Sequence, residues 1–386
     1  MKEYAFTFKE YSDGLKKKDL ISLGIGEPGF NTIPSAKEGG KRAIDENSTR
    51  YTAIAGIPEL REAIAEAASK TRSLEFKGDE VLTAPGVRAA MAAAIFSVVD
   101  PGDEVLVLDP SWSCVTELVN LAGGKVSSVE LKERDRFRVR PSDIEGRVTR
   151  RTKLISINTP NNPTGSVYTK EELEGVARIA VKHDLTVLSD EIYEVFTYDG
   201  RRHISIASLP GMKERTIVAG GATKVFGMSG WRLGYILAPE EVIRLAECLA
   251  CNLWSCAPAV SQHATYAALK GPQDYVEEKV RELEAKRDLT CQRLDRMQGL
   301  SYVKPEGAYY VWLNVGKYGE GESLAKFLVD EYGVVVLPGI GFGECGRDHV
   351  RISYTVPPEK IEEAMNRIEA GLESLRGKPE LLEAYA

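Results

Sequence analysis

The sequence predicts an α/β fold, with a large domain built on a mostly parallel sheet flanked by helices, followed by a smaller α+β domain. Three observations carry this prediction. From about residue 40 to 270, short β-rich apolar runs alternate with longer runs of helical period, the pattern of a parallel sheet wrapped by helices. Four of those runs are each followed at once by a polar cluster. After residue 272 the texture changes to a long charged amphipathic stretch followed by three more β-rich runs.

Taken in chain order, a helix opens at Ile57 to Leu60, where Pro58 suits a first-turn position because proline has no N–H to leave unpaired. The strands are expected at Glu104 to Leu108, Leu154 to Asn158, Thr186 to Ser189 and Thr216 to Ala219. Between the second and third, Thr169-Lys-Glu-Glu172 forms a capping box, and Leu173, Val176, Ile179, Ala180 and Val181 mark the apolar stripe of a crossover helix. Asp274 to Met297 reads as one amphipathic helix with Tyr275, Val276, Val280, Leu283 and Leu294 on one face. The runs Ala308 to Val315, Val334 to Leu337 and Val350 to Tyr354 follow, then a helix from Pro358 to about Leu375. These divisions place an N-terminal segment at 1–40 (part of the small domain, with an active-site loop), a large domain at 41–285 and a small domain at 286–386.

Composition narrows the function. Fifty basic against 57 acidic side chains leave a net charge of −7, which argues against binding nucleic acid or an anionic membrane, since either needs a basic face. The longest apolar run, Ala89 to Val99, is far shorter than the ~20 residues that span a bilayer. Six cysteines in 386 residues do not form a disulfide framework, and the charged start MKEYAFTFKEY lacks a signal-peptide core, so a cytoplasmic location is expected. Lys16-Lys17-Lys18 and Lys132 to Arg140 read as solvated surface.

Two G-x-G-x-x-G matches, at Gly24 to Gly29 and Gly341 to Gly346, lack the strand-turn-helix context of a dinucleotide site and read as turns. Cys248, Cys251 and Cys256 lack a fourth metal ligand, and the i, i+3 spacing of the first two in an apolar helix predicts buried thiols. No metal site is expected. The chain contains neither H-E-x-x-H nor G-x-S-x-G, so metalloprotease and serine-hydrolase chemistry lack their parts.

The four polar clusters are Asp109-Pro110-Ser-Trp112, Asn158-Thr-Pro-Asn-Asn162-Pro-Thr-Gly165, Asp190-Glu-Ile-Tyr193 and Thr223-Lys224. All lie just beyond the carboxyl ends of expected strands, where an open α/β sheet places its ligand crevice. An aromatic face, an amide, a carboxylate, an amine and the nearby guanidinium of Arg232 would together suit a phosphorylated aromatic heterocycle bearing a carbonyl. In these clusters, and in Tyr51-x4-Gly56-Ile-Pro-Glu-Leu-Arg61, Lys224-Val-Phe-Gly-Met-Ser-Gly-Trp-Arg232 and Val350-Arg-Ile-Ser353, the sequence closely resembles the fold-type I pyridoxal-phosphate enzymes, specifically the class I/II aminotransferases of the aspartate and aromatic branch.

The resemblance implies pyridoxal 5′-phosphate as cofactor and a role for each residue. Lys224 would form the Schiff base and shuttle the substrate proton, a task for an amine that other cations keep partly neutral. Asp190 would pair with the pyridine nitrogen, Tyr193 and Asn162 would donate to the phenolic oxygen, and Trp112 would stack on the ring. Arg232, Thr223, the amides of Gly86 and Val87 and the Tyr51 of a neighbouring subunit would hold the phosphate, which implies a homodimer with shared active sites. Arg351 would grip the substrate carboxylate, and the Gly26-Glu-Pro loop would close over substrate.

The sequence departs from the family at Pro85, which has no amide to give, at Gly221, where relatives often carry serine, and at Gly29, where many carry aspartate. The first two predict heavier dependence on Arg232 and Tyr51. The implied reaction moves the α-amino group of an L-amino acid, aspartate as first choice, to a 2-oxo acid, 2-oxoglutarate as first choice. Aromatic donors and a carbon-sulfur lyase on the same scaffold stand as alternatives. A cofactor-sensing transcription regulator is a weaker one, since residues 1–20 leave no room for a helix-turn-helix. Arg88, Lys125, Arg201 and Arg202 are candidates for a second cation in the side-chain pocket, and the neighbourhood of Trp254 or Tyr309 for an apolar wall.

Overall fold

The computed structural model describes residues 19–378 and 380–385; Lys16-Lys17-Lys18 and the start of the N-terminal segment lie outside them. The strands are β1 (Ile21–Ser22), β2 (Val81–Ala84), β3 (Glu104–Asp109), β4 (Lys125–Glu130), β5 (Thr152–Asn158), β6 (Thr186–Asp190), β7 (Thr216–Gly221), β8 (Gly234–Leu237), β9 (Ser301–Tyr302), β10 (Tyr310–Asn314), β11 (Val334–Val335), β12 (Leu337–Pro338) and β13 (His349–Ser353).

Seven strands form the central sheet in the order β2-β8-β7-β6-β5-β3-β4, parallel except for β8, which runs antiparallel to both neighbours. Because helices cover both faces, the strands are apolar throughout. Leu106, Leu108, Ile155, Ile157 and Val187 pack one way, against the helix Lys170–Lys182. Val105, Val107, Leu154, Leu188 and Ile217 pack the other way, against the helix Val87–Val98. The capping box forms as expected: Glu172 N donates to Thr169 Oγ1 at 3.3 Å, and Thr169 N donates to Glu172 Oε2 at 2.7 Å.

The C-terminal runs make an antiparallel sheet, β12-β13-β10-β9, buried beneath the helices Asp274–Leu294 and Pro358–Ser374. The first of these helices continues across residue 285 without a break. Strand β1 pairs with β11, so the chain around residue 21 joins the C-terminal sheets. The helix Pro34–Asp45 instead packs on Ala259–Lys270, beside the central sheet, where Gly39 allows close approach to Ala267. Cys248 and Cys251 are exposed rather than buried: they lie on the outward face of the helix Glu240–Leu253, whose inward face is Ile243, Ala246 and Ala250. Among the described residues, no helix is long and apolar enough to cross a membrane.

Candidate active site

The register of the central sheet sets the site. Asn158 and Asp190 end adjacent strands as direct partners, and Asp190 stands opposite Ala219 of β7, two residues short of the turn into Thr223 and Lys224. The carboxyl ends of β3, β5, β6 and β7 thus present their polar residues on one rim. A cavity of about 440 Å³ opens there, lined by Gly26, Val87, Trp112, Asn162, Asp190, Tyr193, Thr223, Lys224, Arg232 and Arg351 among the expected residues.

Burial pushes the Lys224 amine down to about 8, and the charges of Arg351 and Arg88 act in the same direction against Glu27 and Asp190. The amine donates to the Gly26 carbonyl, which also accepts from Tyr309 Oη at 3.0 Å. Desolvation raises the Asp190 carboxyl to about 6, against a hydrogen bond from the Ile192 amide at 3.2 Å. The hydroxyls of Tyr193 and Tyr310 lie 2.8 Å apart, and burial holds the Tyr193 phenol well above its ordinary range.

Arg351, 2% exposed, donates to Asn162 Oδ1 at 2.9 Å and to the Gly24 carbonyl at 2.7 Å. Its guanidinium lies over the rings of Tyr310, 4.2 Å from the centroid, and Phe342, at 5.0 Å. Strand β13 carries it to the large sheet's rim, so the loop 24–27 is tied to Arg351 at one end and, through Ser229 Oγ donating to Glu27 at 2.9 Å, to the Lys224 segment at the other.

Two expected residues stand apart from the cavity wall. Tyr51 is 89% exposed and does not line it. Gly86 lies behind Arg232, and its amide donates to the Ala84 carbonyl at 2.7 Å, so the first-turn amides of the helix Val87–Val98 are the uncommitted donors there. Arg232 adopts φ +54° and donates to the Ser229 carbonyl at 2.9 Å. Gly29 adopts φ +75°, and a Cβ on it would come within 2.1 Å of the Thr355 carbonyl oxygen; no side chain fits.

The candidate cations separate cleanly. Arg88 lines the cavity; Lys125 begins β4 at the opposite end of the sheet, and Arg201 pairs with Glu306 at 3.0 Å. Arg202 is exposed and does not line the cavity. Trp254 packs on the cluster around Val105 and Ile243, so it forms no wall of the site. Tyr309 is buried behind its neighbour, and Tyr310, which sequence reasoning missed, faces the cavity together with Ile25, Met91 and Leu337. Beneath Asp190, the carboxylates of Glu191 and Glu194 and a nitrogen of His203 lie within 4.8 Å of one another, but Arg72 donates to both carboxylates and occupies that cluster.

Residues 18–368 match the family model of aminotransferase class I and II. The chain is 42% identical over 354 residues to aromatic-amino-acid aminotransferase 2 of Thermococcus litoralis, covering 91% of each chain. It is 42% identical over 356 residues to aspartate aminotransferase of Pyrococcus abyssi, again covering 91% of each. Among solved structures, aspartate aminotransferase from Thermus thermophilus with maleate superposes with a TM-score of 0.91 at 36% identity, covering 95% of this chain and 96% of that one. With the fold, the rim and these likenesses together, the chain belongs to the class I and II aminotransferases.

Proposed function

We propose that the cavity holds pyridoxal 5′-phosphate and that the enzyme moves the amino group of aspartate to 2-oxoglutarate. The observation that carries this is the convergence of Lys224, Asp190, Tyr193, Asn162 and Arg351 on one cavity, with the Lys224 amine drawn down to about 8. The donor set fits the group. Thr223 Oγ1 and Arg351 Nε are buried without a hydrogen-bond partner among the described residues, and both need an acceptor. A Cβ on Gly86 would come within 2.4 Å of Arg232 Nη2, so only glycine leaves that turn open for a phosphate.

When bound, pyridoxal phosphate supplies a carbonyl carbon that takes up the amino group and a ring that accepts the electron pair left at the substrate Cα. Lys224 would hold it covalently, then, once released, take the proton from Cα and return it on the other side of the reaction. Asp190 would give the ring nitrogen a carboxylate partner, which offsets the cost of keeping that carboxylate ionised where solvent is scarce. Tyr193 Oη and the amide of Asn162, whose oxygen is already taken by Arg351, would donate to the ring oxygen. Trp112 would pack on the ring face. Thr223, Arg232 and the Val87 amide would hold the phosphate at the helix N-terminus. Arg351 would take the substrate α-carboxylate in place of the Gly24 carbonyl, and the loop 24–27 would exclude water.

The proposal includes the division into segments 1–40, 41–285 and 286–386, a cytoplasmic location in keeping with six free cysteines, and a homodimer. The outward Tyr51, with exposed Leu245 and Leu253, supports the last, since a partner would cover them. A second reading, aromatic donors, is favoured by the apolar side chains Ile25, Met91 and Leu337 in the cavity wall and by the likeness to the Thermococcus enzyme. The test is spectroscopic. A yellow band that bleaches with aspartate and returns with 2-oxoglutarate supports the proposal, as does a borohydride-stable adduct mapped to Lys224; a folded, coenzyme-saturated protein unmodified at that position overturns it.

A further inference from the structure

We propose that Arg88 is the residue of this chain that reads the distal carboxylate of a dicarboxylic substrate. This rests on the aminotransferase site described above and assigns its side-chain specificity. The cavity is lined by four cations, Arg88, Lys224, Arg232 and Arg351, against two acids, Glu27 and Asp190. Three of the cations have tasks on the cofactor or the α-carboxylate. Glu27 accepts from Ser229 on the closing loop, and Asp190 faces the ring. Arg88 is left over, and among the described residues no carboxylate forms an ion pair with it.

Its position suits the task. Arg88 sits in the first turn of the helix Val87–Val98, and its guanidinium lies over the Trp112 ring, 5.1 Å from the centroid. Stacking on an indole holds the planar fork in place while its N–H edge stays free, which is how an arginine presents a bidentate donor to a carboxylate. Ile25 and Leu337 flank the cavity, so water has less access than at an open surface and a charge-assisted pair there is stronger. The same stack offers an aromatic side chain an alternative to the salt link, so one residue serves acidic substrates without excluding aromatic ones.

The experiment titrates the coenzyme-loaded wild type, Arg88→Gln and Arg88→Lys with succinate and with 3-phenylpropionate, read by the shift of the coenzyme band. The ratio of the two dissociation constants moves against succinate by about tenfold or more in Arg88→Gln, because a hydrogen-bonded charge pair is lost, and part of the loss returns in Arg88→Lys. The ratio of kcat/KM for aspartate over phenylalanine falls in parallel. Equal weakening of both ligands would assign Arg88 to the cofactor or to the fold and overturn the proposal; so would an unchanged ratio. A wild type without a coenzyme band would instead overturn the underlying reading, and this inference with it.

Discussion

Arg351 Nη1 donates to Asn162 Oδ1 at 2.9 Å across 189 residues of sequence, joining β13 to the loop that follows β5. A buried guanidinium needs every donor satisfied, and here one partner is an amide of the central sheet's rim and the other is the carbonyl of the loop above it. Substrate binding therefore exchanges a loop contact for a carboxylate at Arg351 without disturbing Asn162. Replacing Asn162 with alanine strips a partner from a buried charge and is expected to cost about 1–3 kcal/mol of stability while raising KM for the amino acid. Thermal denaturation and steady-state kinetics on the same variant check both.

Acid titration of the coenzyme-free protein tests Asp190. Its folded pKa of about 6 lies above the usual carboxylate value, so the folded state binds the proton more tightly than the unfolded state does. This group's contribution to stability is complete below the unfolded value and is lost as pH rises through about 6. Lys224 has the opposite sign: its pKa is lowered to about 8, so its contribution is present above the ordinary lysine value and is lost as pH falls through about 8. Denaturant unfolding between pH 4 and 7 should show Asp190→Asn with a flatter dependence than wild type.

Phosphate affinity should divide unequally between Thr223 and Arg232. Thr223→Val removes a buried hydroxyl that has no protein partner, so the coenzyme-free protein loses no stability while coenzyme affinity falls by about tenfold, the value of one hydrogen bond to a charged acceptor. Arg232→Ala should weaken it more, because Pro85 has no amide and the Gly86 amide is already engaged. Titration of each apoprotein with pyridoxal phosphate measures the order; near-normal affinity in Arg232→Ala contradicts it.

The pair Arg72 and Glu191 lies under Asp190, 3% and 0% exposed, at 2.8 Å. Burial opposes both charges, yet Arg72 and His203 hold the Glu191 carboxyl well below its ordinary range. Arg72→Met leaves a buried carboxylate short of its partner and is expected to destabilise by about 3–5 kcal/mol, whereas Arg72→Met with Glu191→Leu costs less than the two single changes combined. Chemical denaturation of the three variants checks the coupling.

The elements legible in the sequence were those whose signal is local. β3, β5, β6 and β7 have continuous apolar runs because both faces are buried, and each was found within two residues of its observed ends. β4 was missed because it is an edge strand reading Lys-Val-Ser-Ser-Val-Glu, largely exposed and polar. β8 was missed because it is four residues long and follows the irregular turn at Arg232, and its antiparallel direction has no sequence signature. The exposed thiols of Cys248 and Cys251 show the limit of helical spacing: it places two residues on one face without saying which face turns inward.

For the site, residue identity and short-range order were enough to nominate Lys224, Asp190, Asn162 and Arg351, since each chemistry demands its own functional group and strand ends place such groups on a common rim. Choosing Arg88 over Lys125, Arg201 and Arg202, bringing Tyr310 to Tyr193, and seating Gly29 against Thr355 required the folded chain. Those relationships depend on strand order, on which end of the sheet a residue occupies and on how β13 docks against the rim, and all three are set by packing between segments hundreds of residues apart, which neighbouring side chains do not encode.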